Sequence, residues 1–291
     1  MKLLDGKKIS LEIQNELSVK VDSLVANGIN PPHLVAVLVG DDGASKTYVN
    51  AKVKACERIG FKSTLHHLGS ETSEKELLKV IKRLNEDDSV DGFIVQLPLP
   101  SHMDDHKITL AISPKKDVDG FHPENVGKMA LGLPTFLPAT PNGVMELLKR
   151  YKIPTEGKNT VVIGRSSIVG TPMSILMSRK SNPGNSTVTL AHSRTKNLEQ
   201  ICKQADILIV AIGIPEFVTS NMVKPNAVVI DVGIHRIEDS SKKNGFRLIG
   251  DVNFSEVSQK CSYITPVPGG VGPMTIASLL MNTYIASNER N

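Results

Sequence analysis

Tryptophan is absent from the 291 residues, and aromatic residues of all kinds make up only 4% of them. With no Lys/Arg block either, the chain lacks the basic, aromatic-lined groove by which nucleic acid is commonly held, and no nucleic-acid partner is expected. Cysteine is equally scarce. Cys56, Cys202 and Cys261 are scattered, odd in number and without C-x-x-C spacing. That argues against a disulfide framework or a zinc site, leaves no metal expected, and suits a reducing cytoplasm. No apolar run reaches membrane-spanning length, and Met1-Lys2-Leu3-Leu4-Asp5-Gly6-Lys7 breaks too soon to read as a signal peptide. The rest is ordinary for a soluble globular chain: 40% hydrophobic, 22% charged, net charge +4. So mild a positive bias suits an anionic small substrate, and the length allows two modest domains.

What is present is a strand–turn–helix pattern near the middle, Val161-Val162-Ile163-Gly164-Arg165-Ser166-Ser167-Ile168-Val169-Gly170-Thr171-Pro172. A β-branched run, a glycine, a short polar turn and a second glycine before a proline describe a phosphate site on backbone N–H groups at a helix start. The fingerprint departs from G-x-G-x-x-G in two ways: Ser166 takes the middle glycine position, and Gly170 comes one residue late. A second strand, Thr187-Val188-Thr189-Leu190, follows where an NAD enzyme would place an acid for the ribose. The chain instead reads Ala191-His192-Ser193-Arg194-Thr195, all potential donors except Ala191. Together with Arg165, that tip suits a 2′-phosphate, so NADP is expected rather than NAD.

Hydrophobic periodicity lays out the remainder as alternating β and α. Ile9, Ile13, Leu17, Val21 and Val25 predict a helix with one buried face, and Leu34 to Val39 a strand covered on both faces. Further helices are expected over 45–59, 73–84 and 143–151, and a last one over 274–287 with Ile276, Leu279, Leu280 and Tyr284 on one side. Further strands are expected over 61–68, 92–96, 207–211 and 227–231. The alternation implies parallel β/α layering. A loop from Gly132 to Gly143 carrying Pro134, Pro138 and Pro141 reads as a hinge, and the last helix is expected to return to the first domain.

Four segments outside the nucleotide turn carry chemistry. Tyr48 and Lys52 stand one helical turn apart on one face. Taken alone the pair reads as a solvated lysine beside a surface tyrosine; held near a reacting group, a partly desolvated lysine would have its pKa drawn toward neutrality. Gln96-Leu97-Pro98-Leu99-Pro100 leaves a strand at its carboxyl end, where ligands bind in parallel sheets. Lys115-Lys116-Asp117-Val118-Asp119-Gly120-Phe121-His122-Pro123 brings carboxylates into a tight loop, which reads equally as a turn with an Asp helix cap. Pro266-Val267-Pro268-Gly269-Gly270-Val271-Gly272-Pro273-Met274-Thr275 has glycines that would let backbone approach a ligand, and a proline that starts a helix.

In their order along nearly the whole chain, these motifs resemble the bifunctional methylenetetrahydrofolate dehydrogenase/cyclohydrolase family. The likeness rests on Tyr48-x-x-x-Lys52, the Gln96 to Pro100 run, Lys116 to Gly120, Gly164-Arg165-Ser166 with Ile168-Val169-Gly170, Asp231-Val232-Gly233-Ile234, and Pro268 to Thr275. Tyr-x-x-x-Lys also resembles short-chain dehydrogenases, but there the nucleotide glycines come first. Another two-domain dehydrogenase would need a different acid–base set, and the presence of Lys52, Gln96 and Asp119 together weighs against a non-catalytic folate or nucleotide sensor.

The resemblance implies two α/β domains: a parallel-sheet folate-binding catalytic domain over 1–138, completed by 273–291, and a Rossmann-like NADP-binding domain over 139–272. It implies oxidation of 5,10-methylenetetrahydrofolate, hydrolysis of the methenyl product to 10-formyltetrahydrofolate, a cytoplasmic homodimer formed through the nucleotide domains, and folate bound between the domains. Lys52 would be the central catalytic residue, assisted by Tyr48, Gln96 and Asp119, with Asp119 on the pterin and Tyr48 along the aminobenzoate ring. Gly164, Arg165, Ser166, Ser193 and Ile234 would contact NADP, and Gly269, Gly270 and Pro273 the substrate. Ala139 and Ala191 stand where many members of the family carry cysteine.

Overall fold

The computed structural model describes residues 1–242 and 245–290. Its first stretch runs β1 (Lys2–Leu3), α1 (Gly6–Ala26), β2 (His33–Val39), α2 (Gly43–Arg58), β3 (Lys62–Leu68), α3 (Glu74–Glu86) and β4 (Gly92–Val95). Then come α4 (Asp105–Ala111), α5 (Pro123–Leu131), α6 (Ala139–Arg150), β5 (Asn159–Ile163), α7 (Gly170–Ser178), β6 (Thr187–Ala191), α8 (Leu198–Cys202) and β7 (Ile207–Val210). The chain closes with β8 (Val228–Asp231), β9 (His235–Glu238), β10 (Phe246–Ile249), α9 (Phe254–Val257), β11 (Tyr263–Ile264) and α10 (Val271–Arg290). No helix among the described residues is long and apolar enough to cross a membrane.

These elements form two compact units. One comprises residues 11–139 with 276–291; the other comprises 1–10 with 140–275. In the first, β3-β2-β4 make a three-stranded parallel sheet. Its centre is β2, buried at all seven positions, which is why its sequence is a continuous apolar run rather than an alternation. Phe93, Leu77 and Ile81 fill one face of that sheet; fully burying a side chain of this size contributes roughly 2–3 kcal/mol. The flanking helices start where their polar side chains can cap them. Asp42 accepts from the Ser45 N–H to open α2, and Ser73 with Glu76 forms a reciprocal capping box on α3.

The second unit holds a six-stranded sheet in the order β1-β11-β8-β7-β5-β6, parallel throughout, and an antiparallel hairpin β9–β10. The order reverses direction at β5, so the carboxyl ends of β5 and its neighbours form the switch point where nucleotides bind in such sheets.

The last helix does return to the first unit: Asn282 donates to the Val118 carbonyl at 2.8 Å and to that of Leu137 at 2.9 Å. Two expectations need correction. Val25 is 52% exposed, because the buried stripe of α1 ends at Val21 one turn earlier. The loop expected to run to Gly143 stops at Pro138. From Ala139 the chain is already helical, and Pro141 fits the first turn of α6, where its missing N–H has no partner to lose. The pair α4 and α5 and the hairpin β9–β10 give no clear period in the sequence and emerge only in the fold.

Candidate active site

The first unit gathers Lys52, Gln96, Asp119 and Tyr48 around the carboxyl end of its sheet. Lys52 lies on the inward face of α2 with Val49, Ala55 and Cys56 and is only 7% exposed, which rules out the solvated-lysine reading. Its Nζ donates to Gln96 Oε1 at 3.1 Å. Gln96 is itself fixed. Its backbone N–H bonds the Val37 carbonyl at 2.9 Å and its Nε2 donates to the Leu97 carbonyl at 2.7 Å, so only Oε1 can face the lysine. Burial pulls the Lys52 ammonium below its ordinary range, and the charge of Asp119 opposes that shift in part. In turn, burial raises the Asp119 carboxyl, with Lys52 pulling it back and Asp117 pushing it further up. The Tyr48 side chain is half-buried, and burial raises its hydroxyl. One turn beyond Lys52, burial pushes the Cys56 thiol up to about 12, which leaves it protonated and inert.

Two aspartates only two residues apart have different tasks. Asp117 is structural: its carboxylate accepts from the His122 N–H at 2.7 Å and from Asn125 Nδ2 at 2.8 Å. The cap of α5 is His122, whose Nδ1 accepts from the Glu124 N–H at 3.1 Å, and not the aspartate that the sequence suggested. Gly120 ends the loop at φ +74°, where a Cβ would lie 2.6 Å from the Leu137 carbonyl carbon. The Asp119 carbonyl accepts from the Ala139 N–H at 3.1 Å, so the loop is held by its backbone while its carboxylate stays available.

In the second unit the turn after β5 is built by close packing. A Cβ on Gly164 would lie 2.0 Å from the Ala211 carbonyl oxygen, and one on Gly170 would lie 1.9 Å from that of Gly164. Both positions therefore require glycine whatever binds there. Ser166 Oγ accepts from the Val169 N–H at 3.2 Å and the Gly170 N–H at 3.4 Å. The serine that replaces the middle glycine thus caps the donors at the helix start, which the sequence had offered to a phosphate. The N–H groups of Ser166, Ser167 and Ile168, just before them, have no partner among the described residues. They form a donor set that fits a pyrophosphate, and Arg165 stands exposed just before them.

At the tip of β6 the turn uses part of its own inventory. His192 N–H donates to Thr195 Oγ1 at 2.9 Å and Arg194 N–H to His192 Nδ1 at 3.2 Å. Ser193 and the Arg194 side chain remain exposed for a ligand. Ile234 follows β8 and is 42% exposed. In the Gly269-Gly270 segment the glycines serve the chain itself. Gly269 has φ +105°, its carbonyl accepts from the Lys7 N–H at 2.9 Å, and a Cβ on Gly270 would lie 2.6 Å from the Pro266 carbonyl oxygen. Pro273 lies in the first turn of α10, as expected of a helix-starting proline. Sequence reasoning missed Asn282, Asp251 and Thr265, whose Oγ1 accepts from the Asp231 N–H at 2.7 Å. All three act through buried hydrogen bonds to distant segments, for which no local pattern is a signal.

Comparison with known proteins agrees with this layout. Residues 4–119 match the family model of the tetrahydrofolate dehydrogenase/cyclohydrolase catalytic domain, and residues 138–291 match that of the tetrahydrofolate dehydrogenase/cyclohydrolase NAD(P)-binding domain. The bifunctional protein FolD of Cytophaga hutchinsonii is 65% identical over 287 residues, covering 99% of each chain. That of Flavobacterium johnsoniae is 62% identical over 291 residues, covering 100% of this chain and 99% of the relative. Among solved structures, the bifunctional FolD methylenetetrahydrofolate dehydrogenase/cyclohydrolase of Campylobacter jejuni superposes with a TM-score of 0.93 at 50% identity, covering 100% of both chains. The Trypanosoma brucei N5,N10-methylenetetrahydrofolate dehydrogenase-cyclohydrolase, solved with NADP cofactor and an inhibitor, gives a TM-score of 0.93 at 37% identity, covering 98% of this chain and 96% of that one. With both family models matched in order and close relatives spanning its full length, this chain belongs to the tetrahydrofolate dehydrogenase/cyclohydrolase family.

Proposed function

We propose that the chain oxidises 5,10-methylenetetrahydrofolate to 5,10-methenyltetrahydrofolate with NADP⁺ and hydrolyses the product to 10-formyltetrahydrofolate. The observation that carries this reading is a buried lysine bonded to a fixed glutamine, with a spare carboxylate beside it. When bound, NADP⁺ supplies the hydride acceptor. Loss of hydride from the carbon between N5 and N10 leaves a cation that the nitrogen lone pairs stabilise, so no side chain has to move a proton in that step. Tyr48, Lys52, Gln96 and Asp119 orient the folate, with Asp119 accepting from the pterin and Tyr48 lying along the aminobenzoate ring.

Hydrolysis does need proton transfer. Water adds to the methenyl carbon and loses a proton; the bond to N5 then breaks as that nitrogen takes a proton up, and the hydroxyl on the carbon releases its remaining proton to solvent as the formyl C=O forms. In its neutral form Lys52, held by Gln96, accepts the first proton and returns it to N5. Gly164, Arg165, Ser166, Ser193 and Ile234 hold the nucleotide, with Arg165 and Ser193 selecting NADP over NAD through the 2′-phosphate. In functional terms residues 1–138 with 273–291 serve folate and 139–272 serve NADP. The enzyme works as a cytoplasmic homodimer in one-carbon metabolism that feeds purine biosynthesis, and it has no nucleic-acid partner. The test follows NADPH and methenyltetrahydrofolate absorbance together, supplying each nucleotide in turn. NADPH formation followed by decay of the methenyl signal is expected; no reduced nucleotide from methylenetetrahydrofolate overturns the reading.

A further inference from the structure

Two carboxylates lie buried behind the loops that leave β7 and β8, and neither has a part in the chemistry above. Asp251 is 0% exposed. Its Oδ2 accepts from the Ile212 N–H at 2.7 Å and the Gly213 N–H at 3.0 Å, both in the loop after β7. Its Oδ1 accepts from His235 Nε2 at 2.7 Å, just past the loop after β8. Asp231, at the end of β8, accepts from the Gly233 N–H at 3.0 Å, the Asp251 N–H at 2.9 Å and the Val252 N–H at 3.0 Å. Each carboxylate therefore seats the other's segment. The fit is tight: a Cβ on Gly250 would lie 1.8 Å from Asp231 Oδ2, and one on Gly233 would lie 2.3 Å from Asp251 Oδ1.

Sheet order says what this brace is for. The strands run β8-β7-β5-β6. If the 2′-phosphate sits at the β6 tip and the pyrophosphate at the turn after β5, the rest of an extended dinucleotide has only β7 and β8 to lie over. The loops there carry Ile214 and Ile234, large apolar side chains 48% and 42% exposed. Exposed isoleucines on rigid loops suit the flat face of an aromatic ring. We infer that Asp251 is a positioning residue for the nicotinamide half of NADP⁺: it fixes the loops after β7 and β8 without touching the ligand. This rests on the proposed function.

The test uses the full chain and three variants. Asp251→Ala is expected to raise KM for NADP⁺ at least tenfold and to lower dehydrogenase kcat. Its hydrolysis of methenyltetrahydrofolate, which needs no nucleotide, stays within twofold of the parent. Affinity for adenosine 2′,5′-bisphosphate, which lacks the nicotinamide half, also stays within twofold. Asp251→Asn keeps an acceptor for Ile212 and Gly213 and is expected to recover most of kcat. Should the alanine variant not fold, His235→Phe, which removes only the β8-side bond from a mostly covered ring, is expected to raise KM for NADP⁺ severalfold with bisphosphate affinity unchanged. An unaltered NADP⁺ KM in whichever variants fold overturns the inference, as does an equal loss of NADP⁺ and bisphosphate affinity. If the parent chain forms no NADPH, the functional reading fails; if it does and the variants match it, only the brace fails.

Discussion

Replacing Lys52 by Met keeps the reach of the side chain and removes its ammonium, and the structure sets opposite signs for activity and stability. A positioned acid–base group contributes about 10²–10⁴-fold to rate, or roughly 3–5 kcal/mol of transition-state stabilisation. With Gln96 Oε1 facing an apolar thioether in place of a donor, neither Gln96, which does not titrate, nor Tyr48, whose hydroxyl burial raises further, can take over the lysine's task. Hydrolysis of methenyltetrahydrofolate is therefore expected to fall by about 10²–10⁴-fold. Stability should not fall with it. Burial lowers the Lys52 pKa below 10.5, so the folded state binds this proton less tightly than the unfolded chain does. The protonated lysine then opposes folding below the depressed pKa, and the opposition fades as pH rises from there toward 10.5. The melting temperature of Lys52→Met is expected to match or exceed that of the parent at neutral pH, with the gap closing in alkali. The assay pairs the decay of methenyl absorbance with thermal unfolding across pH. A variant that hydrolyses within threefold of the parent refutes the proton-transfer role. Activity lost together with a large drop in melting temperature refutes the account of the buried charge.

Asp119→Asn removes the charge that opposes the depression of Lys52, so the alkaline-rising limb of the hydrolysis profile should move to lower pH; an unmoved limb separates the two residues. Gly120→Ala places a Cβ 2.6 Å from the Leu137 carbonyl carbon at φ +74°, and denaturant unfolding is expected to show a loss of about 2–4 kcal/mol. Asn282→Ala strips two donors from the Val118 and Leu137 carbonyls on either side of that glycine. It is expected to cost about 2–4 kcal/mol and to raise KM for folate, and a loss below about 0.5 kcal/mol by the same method contradicts the clamp. Arg165→Ala should weaken NADP⁺ binding about 10–100-fold, the worth of one hydrogen bond to a charged group, and leave NAD⁺ within twofold; equal losses show that Arg165 does not read the 2′-phosphate.

Much of this was legible because it is local. The β2 run announced a strand buried on both faces, the four-residue step from Tyr48 to Lys52 put both on one side of α2, and the order of six short motifs disclosed the family. The turn after Ile163 was readable as a nucleotide site, yet its detail was not. A middle serine turns out to cap the helix donors, and the available N–H groups lie slightly earlier in the turn. Likewise the glycines near Pro268 read as room for a ligand, and only the fold shows that the chain's own backbone also requires them.

Sequence alone thus determined the periodicities, the glycine positions and the inventory of chemical groups, since these depend on residues a few positions apart. Only the tertiary structure decided which lysine loses its water, which of two neighbouring aspartates is consumed by hydrogen bonds, and that Asn282 and Asp251 hold segments 16 to 164 residues distant. Desolvation and buried hydrogen bonds are set by whatever packs around a group. In a parallel sheet those neighbours come from strands and helices that are remote along the chain.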